Sequence, residues 1–186
     1  MQETDENLYF RYLTNGDSED LRILLERYSE SLTLFINGYV HNMEDAEELM
    51  LDAFAIVASG MSRFKGKSSF KTWLFAIGRN LAFKHIKRHR IQIEPLNEET
   101  VQAEEQAEAE LKLLKEERNA MFYSALKQLN PDYRQAIYLV YFEDMSIEEA
   151  ALVMGKGRKQ FYNLVSRARA SMKRILERMG ISDEEF

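Results

Sequence analysis

An all-α fold is predicted by two observations on this chain of 186 residues. Apolar residues recur at helical spacing over most of its length, and eight Gly with two Pro leave too few turns for a β-rich architecture. The 45% apolar content supports a core, and the length allows one domain or two small ones. There is no cysteine, which excludes a disulfide scaffold, a Cys-ligated zinc and a thiol nucleophile. No apolar run reaches spanning length, and the N-terminus is acidic where a signal peptide is basic, so a cytoplasmic protein is expected.

In order along the chain, Glu6 to Phe10 reads as helix, and Asp17 is a candidate N-cap. Leu21, Leu24, Leu25, Tyr28, Leu32, Phe35, Ile36, Tyr39 and Val40 then follow one face of a long core helix. Asn42 with Asp45 caps the next helix, whose inward stripe is Ala46, Leu49, Met50, Ala53, Phe54 and Val57. Its other side is acidic. Between Asp17 and Ala55 ten Asp or Glu face two Arg, a surface that avoids nucleic acid and suits a basic protein partner, or is simply solvated.

The next stretch, Met61 to Arg90, reverses the charge with nine Lys or Arg and no Asp or Glu, inside a protein of net charge −6. Phe64, Phe70, Trp73, Phe75 and Phe83 alternate with those cations. Cations neutralise phosphates while aromatic faces stack bases, so the pattern fits single-stranded nucleic acid. Part of the aromatic set must be core in any case, because Phe70, Trp73, Leu74, Ile77 and Leu81 share one helical face. An amphipathic core helix with a solvated basic face remains the plainer alternative.

From Ile91 to Glu110 there are seven Glu, Pro95 and no Lys or Arg, which reads as an extended acidic linker. The division expected is 1–92, a linker over 93–112, and 113–186. A weak helical pattern (Leu111, Leu114, Met121, Phe122, Ala125, Leu129) runs to Asn130-Pro131, where Asn caps and Pro opens another helix. Ile137, Val140 and Tyr141 are expected on one apolar face. Ser146 and Glu149 form a capping box for a short helix that Gly155 ends, and a turn leads into a long helix with Phe161, Leu164, Val165, Ala168, Met172, Ile175 and Leu176 inward. That is a helix-turn-helix pattern, which any helical hairpin with a Gly turn can imitate. From Lys156 to Arg178 there are eight basic residues and one acidic, and Lys159, Gln160, Asn163, Ser166, Arg167 and Arg174 occupy the outer face.

Four blocks now stand in order: D-A-E-E-L with Asp52 and Phe54; F-K-G-K-S-S-F-K-T-W-L-F-A-I-G-R-N-L-A from Phe64; L-N-P-D-Y-R-Q-A-I-Y-L-V-Y-F-E-D-M-S-I-E-E-A-A from Leu129; and S-R-A-R from Ser166. Together they resemble an extracytoplasmic-function (ECF) sigma factor of the sigma seventy family. The resemblance implies two small helical domains, sigma region two and sigma region four, in an initiation subunit that binds core RNA polymerase and promoter DNA.

On that resemblance Asp45, Glu48, Leu49 and Asp52 would dock the core enzyme. Lys67, Ser68, Ser69, Phe70, Lys71, Trp73, Arg79, Asn80, Lys84, Lys87 and Arg88 would hold the opened minus-ten element, with an extruded base near the Ser68-Ser69-Phe70 loop. Arg158, Lys159, Gln160, Tyr162, Asn163, Arg167 and Arg169 would meet the minus-thirty-five duplex. An anti-sigma partner is implied, and neither a cofactor nor a metal.

The chain departs from the family pattern at Leu51, where a Gln is usual, at Lys156, where an apolar residue is usual, and at Phe161, Tyr162 and Leu164. Promoter preference therefore does not carry over. A helix-turn-helix regulator acting without core polymerase is the alternative function, but it leaves the basic aromatic segment unexplained. Catalysis is the weaker rival: His85 and His89 are four residues apart, yet H-I-K-R-H offers no carboxylate to complete a metal site, and neither they nor His41 complete one.

Overall fold

The computed structural model of the protein describes residues 3–60, 64–92, 122 and 124–180. The acidic linker expected over 93–112, the pattern at Leu111, Leu114 and Met121, and the basic Arg63 lie outside the described residues.

The described chain is helical, and local chemistry sets most of the helix ends. Helix α1 (Asp5–Asn15) starts where Thr4 accepts the Asn7 N–H, and it stops at Gly16 with φ 68°. Asp17 caps α2 (Ser18–Val40) by accepting the Glu19 N–H at 2.9 Å. Asn42 does the same for α3 (Met43–Ser59), through the Asp45 N–H at 3.2 Å, and Gly60 ends that helix. The inward stripe of α3 is Ala46, Leu49, Met50, Ala53, Phe54 and Val57, as its spacing predicts.

Helix α4 (Phe70–Gln92) begins at a doubly capped end. Ser69 Oγ accepts the Thr72 N–H at 3.2 Å, while Glu6 of α1 reaches across to accept the Phe70 N–H at 2.8 Å. Helices α2, α3 and α4 pack on one another, with α1 against α2 and α4. Two polar anchors hold α1 in place: Arg11 chelates the buried Asp20, and Asp5 binds both Arg27 and Tyr28. Burial first and Asp5 second push the Tyr28 phenol well above its ordinary range.

The second half opens with Asn130, which caps α5 (Pro131–Ile137) through the Tyr133 N–H at 2.9 Å. Arg134 spreads over the carbonyls of Leu126, Lys127 and Leu129, closing the end of the short helical turn at 124–127. A π turn, Tyr138–Phe142, continues α5. This turn corrects the expected apolar face of Ile137, Val140 and Tyr141. The wider turn shifts the phase of the helix, so Ile137 is buried, Val140 is partly covered, and Tyr141 is exposed beneath the Arg169 guanidinium, 5.3 Å away.

Ser146 and Glu149 form the expected capping box of α6 (Ile147–Val153). Gly155, at φ 61°, makes the turn into α7 (Arg158–Arg178), a conformation L side chains rarely adopt. Ala125, Leu126, Leu129, Ile137, Ala168, Met172, Ile175 and Leu176 form a core of their own in this half. The larger core runs through both halves: Phe35, Phe70, Leu74 and Phe75 of the first join Tyr138, Leu139, Ala150, Met154 and Phe161 of the second. Helix α6 lies on α4, and α5 lies on α2.

Candidate polymerase and promoter surfaces

Three surfaces follow from this packing. The first is the outward side of α3. Glu48 and Asp52 are exposed there, one turn apart, with Leu51 beside them at 56% exposure. Asp45 is half-buried because His85 of α4 approaches it, with Nε2 and Oδ2 3.2 Å apart. Leu49 is buried at 8% exposure. By spacing the four residues share one side of the helix, with Leu49 at the edge that meets the core and Glu48 and Asp52 toward the outside.

The second surface is the loop 64–69 with α4, and it divides in two. Lys67, Asn80, Lys84, Lys87 and Arg88 are exposed, and the last four share one face of the helix by their spacing. Phe70 is fully buried and Trp73 half-buried in a cluster with Tyr9 and Phe64, whose ring centroids lie 5.3–6.1 Å apart. Phe75, also fully buried, packs on Phe35. Of the aromatic set named above, Phe83 is the exposed one, at 44%, with the Arg79 guanidinium 4.6 Å over its ring. Phe83 is not among the expected site residues; in the sequence, its place four residues after Arg79 on a basic helix is the pattern behind this contact.

The remaining residues of that segment face the second half of the chain. Ser69 Oγ and Thr72 Oγ1 donate to Glu149 Oε1 at 3.0 and 3.3 Å. Lys71 Nζ meets Glu143 Oε2 at 2.8 Å and the Glu143 carbonyl at 2.7 Å. Burial pushes the Glu149 carboxyl up, but the converging donors of Ser146, Ser69 and Thr72 outweigh it and hold the group below its ordinary value. Ser68, half-buried, turns its hydroxyl to the Ser69 carbonyl.

The third surface is α6, its turn and α7. Arg158, Lys159, Gln160, Tyr162, Asn163, Arg167 and Arg169 are all exposed along α7, while Phe161 is fully buried. The departure at Phe161 is therefore a core substitution, and that at Tyr162 a surface one. Lys156, half-buried in the turn, reaches Asp132 of α5 at 3.2 Å, so an ion pair replaces the apolar packing usual there. Gln160 Oε1 accepts the Gly157 N–H at 3.2 Å and closes the start of α7, and the residue is exposed. Arg158 leans back on Glu148 at 2.6 Å, both exposed.

Among the described residues, no group of three His, Cys, Asp or Glu is placed to hold a metal, and no helix is long and apolar enough to cross a membrane. The His85 and His89 rings lie 4.3 Å apart.

Comparison with known proteins matches the same architecture. Residues 24–91 match the Sigma-70 region 2 family model and residues 119–172 the Sigma-70, region 4 model. The chain is 29% identical over 164 residues to the ECF RNA polymerase sigma factor BldN of Streptomyces coelicolor, covering 87% of this chain and 62% of that one. It thus spans less than two thirds of BldN. It is 28% identical over 186 residues to the RNA polymerase sigma-H factor of Pseudomonas aeruginosa, with 95% of each chain covered. Its fold is shared with the sigma factor RpoE of Bartonella quintana, solved in complex with the anti-sigma factor NepR, at a TM-score of 0.63, with 23% identity over 86% of this chain and 98% of that one. The chain belongs to the sigma-70 family of RNA polymerase sigma factors, in its extracytoplasmic-function group.

Proposed function

We propose that this protein is an initiation subunit of bacterial RNA polymerase, working in the cytoplasm without a cofactor and without catalysing a reaction itself. Glu48, Asp52 and the partly covered Asp45 dock the core enzyme. The exposed face of Asn80, Lys84, Lys87 and Arg88 takes the phosphates of the opened minus-ten strand, with Lys67 and Phe83 beside it. Arg158, Lys159, Gln160 and Asn163 enter the major groove of the upstream duplex, and Arg167 and Arg169 meet its phosphates. An anti-sigma factor, such as the one NepR provides for the Bartonella protein, is the expected negative partner.

One observation supports this reading above the others. An exposed acidic helix, a basic aromatic helix and a helix-turn-helix coexist in one chain, in the order region two then region four. A regulator that acts without the polymerase needs only the last. The test is transcription in vitro with core polymerase and promoter DNA as the only other macromolecules. Initiation that depends on this protein supports the reading, and a protein that binds the promoter but cannot start transcripts returns it to the regulator class.

A further inference from the structure

We propose that Tyr162 reads a thymine of the upstream element by packing its ring on the C5-methyl group, an inference that rests on the function proposed above. Tyr162 is 63% exposed, more than any other large apolar side chain among the described residues. Phe161 beside it fills the core, whereas the fold makes no use of the Tyr162 ring. Among the described residues that ring has no hydrogen bond, ring contact or cation over it. The other exposed rings are engaged: Phe10 lies 5.8 Å from Phe64, Arg79 stands over Phe83, and Arg169 stands over Tyr141.

The cations nearest by spacing are turned elsewhere. Arg158 stands one turn before Tyr162 and Arg169 two turns after it, on the same flank of α7. Arg158 leans on Glu148 and Arg169 on Tyr141, so the ring is left open between them. This flank looks toward the start of α6, because Glu148 holds Arg158 there. In helix-turn-helix docking the first helix crosses the DNA backbone while the second lies in the major groove. A side chain on this flank therefore stands between the base edges and a backbone strand. The C5-methyl is the part of a thymine's major-groove edge nearest its own sugar and phosphate, so it meets a ring in that position.

Charge points to the same partner. From Lys156 to Arg178 there are eight basic residues and one acidic, so attraction to phosphates is already supplied, and a neutral ring adds no counterion release. What a ring gains on leaving water is apolar contact. The base edges of the major groove present hydrogen-bond donors and acceptors, and the thymine methyl is the apolar group among them. Lys159 and Asn163, exposed beside Tyr162, can serve the polar edges. Tyr162 thus adds a kind of readout that those two side chains cannot supply.

The test uses the full chain assembled with core polymerase. Promoter duplexes randomised over the upstream element are selected by the wild type, and each thymine of the selected element is then replaced singly by deoxyuridine. That exchange removes the methyl and leaves the hydrogen-bonding edge intact. At one position it should weaken binding by about fourfold, the effect of burying one methyl group. Tyr162→Ala should bind the thymine and deoxyuridine duplexes alike, and Tyr162→Phe should keep the wild-type preference, since the ring and not the hydroxyl makes the contact. Both variants should melt at the wild-type temperature, as expected for an exposed side chain. A selected element without thymine overturns the proposal, as does one in which no position responds to deoxyuridine. So does a response that survives in Tyr162→Ala, a preference lost in Tyr162→Phe, or a lowered melting temperature in Tyr162→Ala, which would return the ring to the fold. A wild type that initiates from the selected promoter without any methyl dependence loses only this readout, whereas one that selects no upstream element loses the assigned role of α7 as well.

Discussion

His85 Nε2 stands 3.2 Å from Asp45 Oδ2, so the helix that carries the basic face is tied to the acidic helix beside it. The two carboxylates, alike in the sequence, differ in their surroundings. Asp52 is free to meet a partner, while Asp45 already has one inside the chain. Asp52→Lys should abolish capture of core polymerase while helicity and melting temperature stay near wild type, since exposed charges contribute little to folding. Asp45→Lys should lower the melting temperature as well, by losing the His85 contact. Pull-down with core enzyme and thermal melts of both variants check this.

The exposed cations of α4 make a second prediction. Lys84 and Lys87 stand clear of the core, and replacing both by Ala should leave stability unchanged. Open-complex formation should weaken and its salt slope should fall by about 1.4, because each lost phosphate contact to a single strand releases about 0.7 counterion fewer. Binding to core polymerase should hold. Promoter-opening assays over a salt series measure the slope.

Gln160 has two jobs that a pair of substitutions separates. Its oxygen closes the start of α7 on the Gly157 N–H, and its amide N–H groups, on an exposed residue, are the donors proposed to read a base. Gln160→Glu keeps an acceptor for the cap and loses the donor, whereas Gln160→Ala loses both. Both should cost about 1 to 3 kcal/mol at the upstream element and relax one base pair, but the alanine variant alone should also melt earlier. Asn163→Ala should lose discrimination without a change in melting. Promoter libraries and thermal melts together decide between readout and mere coverage of the helix.

Trp73 is the single tryptophan of the chain and sits 5.4 Å from Tyr9 and 5.3 Å from Phe64, ring to ring. As part of that cluster its replacement by Ala should destabilise the first half by about 3 to 5 kcal/mol. Denaturant melts followed by circular dichroism check the cost. In the wild type, the tryptophan emission itself should shift as that half unfolds.

Acid should loosen the contact at Glu149. Its carboxyl is held below the ordinary 4.5 by its net hydrogen bonding, so its contribution is present above 4.5 and disappears as pH falls through the lowered folded value. Melting temperature should decline with acidification below 4.5, and Glu149→Gln should show a shallower decline over that window. Scans of both proteins at a series of pH values are the measurement.

The parts of this fold that could be read from sequence are those whose causes are neighbours in the chain. Asp17, Asn42, Asn130 and the Ser146–Glu149 box each act within three residues, and the α3 stripe is periodic because one side of that helix is buried and the other wet. Helix α4 was harder. It is covered on one side by α2 and α3 and on another by α6, so Phe75 and Arg79 are enclosed by partners that no local pattern announces. The same holds for Glu6, which caps α4 from 64 residues away. The exposure of α7 was the most legible, because that helix has one wet face and the seven residues named for it are all exposed.

The π turn at Tyr138–Phe142 sets a limit on chain length rather than on residue type. Tyr138 enters it toward Phe35 in the first half, with ring centroids 6.2 Å apart, and Phe142 leaves it packed against Phe122 in the second, 5.5 Å apart. Removing one residue here would turn everything that follows by about 100°, the step of a helix with 3.6 residues per turn. Tyr141 would swing away from Arg169, and α6 would present a different side to α4. Side chains in this turn can be exchanged for others of similar bulk, but an insertion or deletion of a single residue would uncouple the helix-turn-helix from the half of the protein on which it rests.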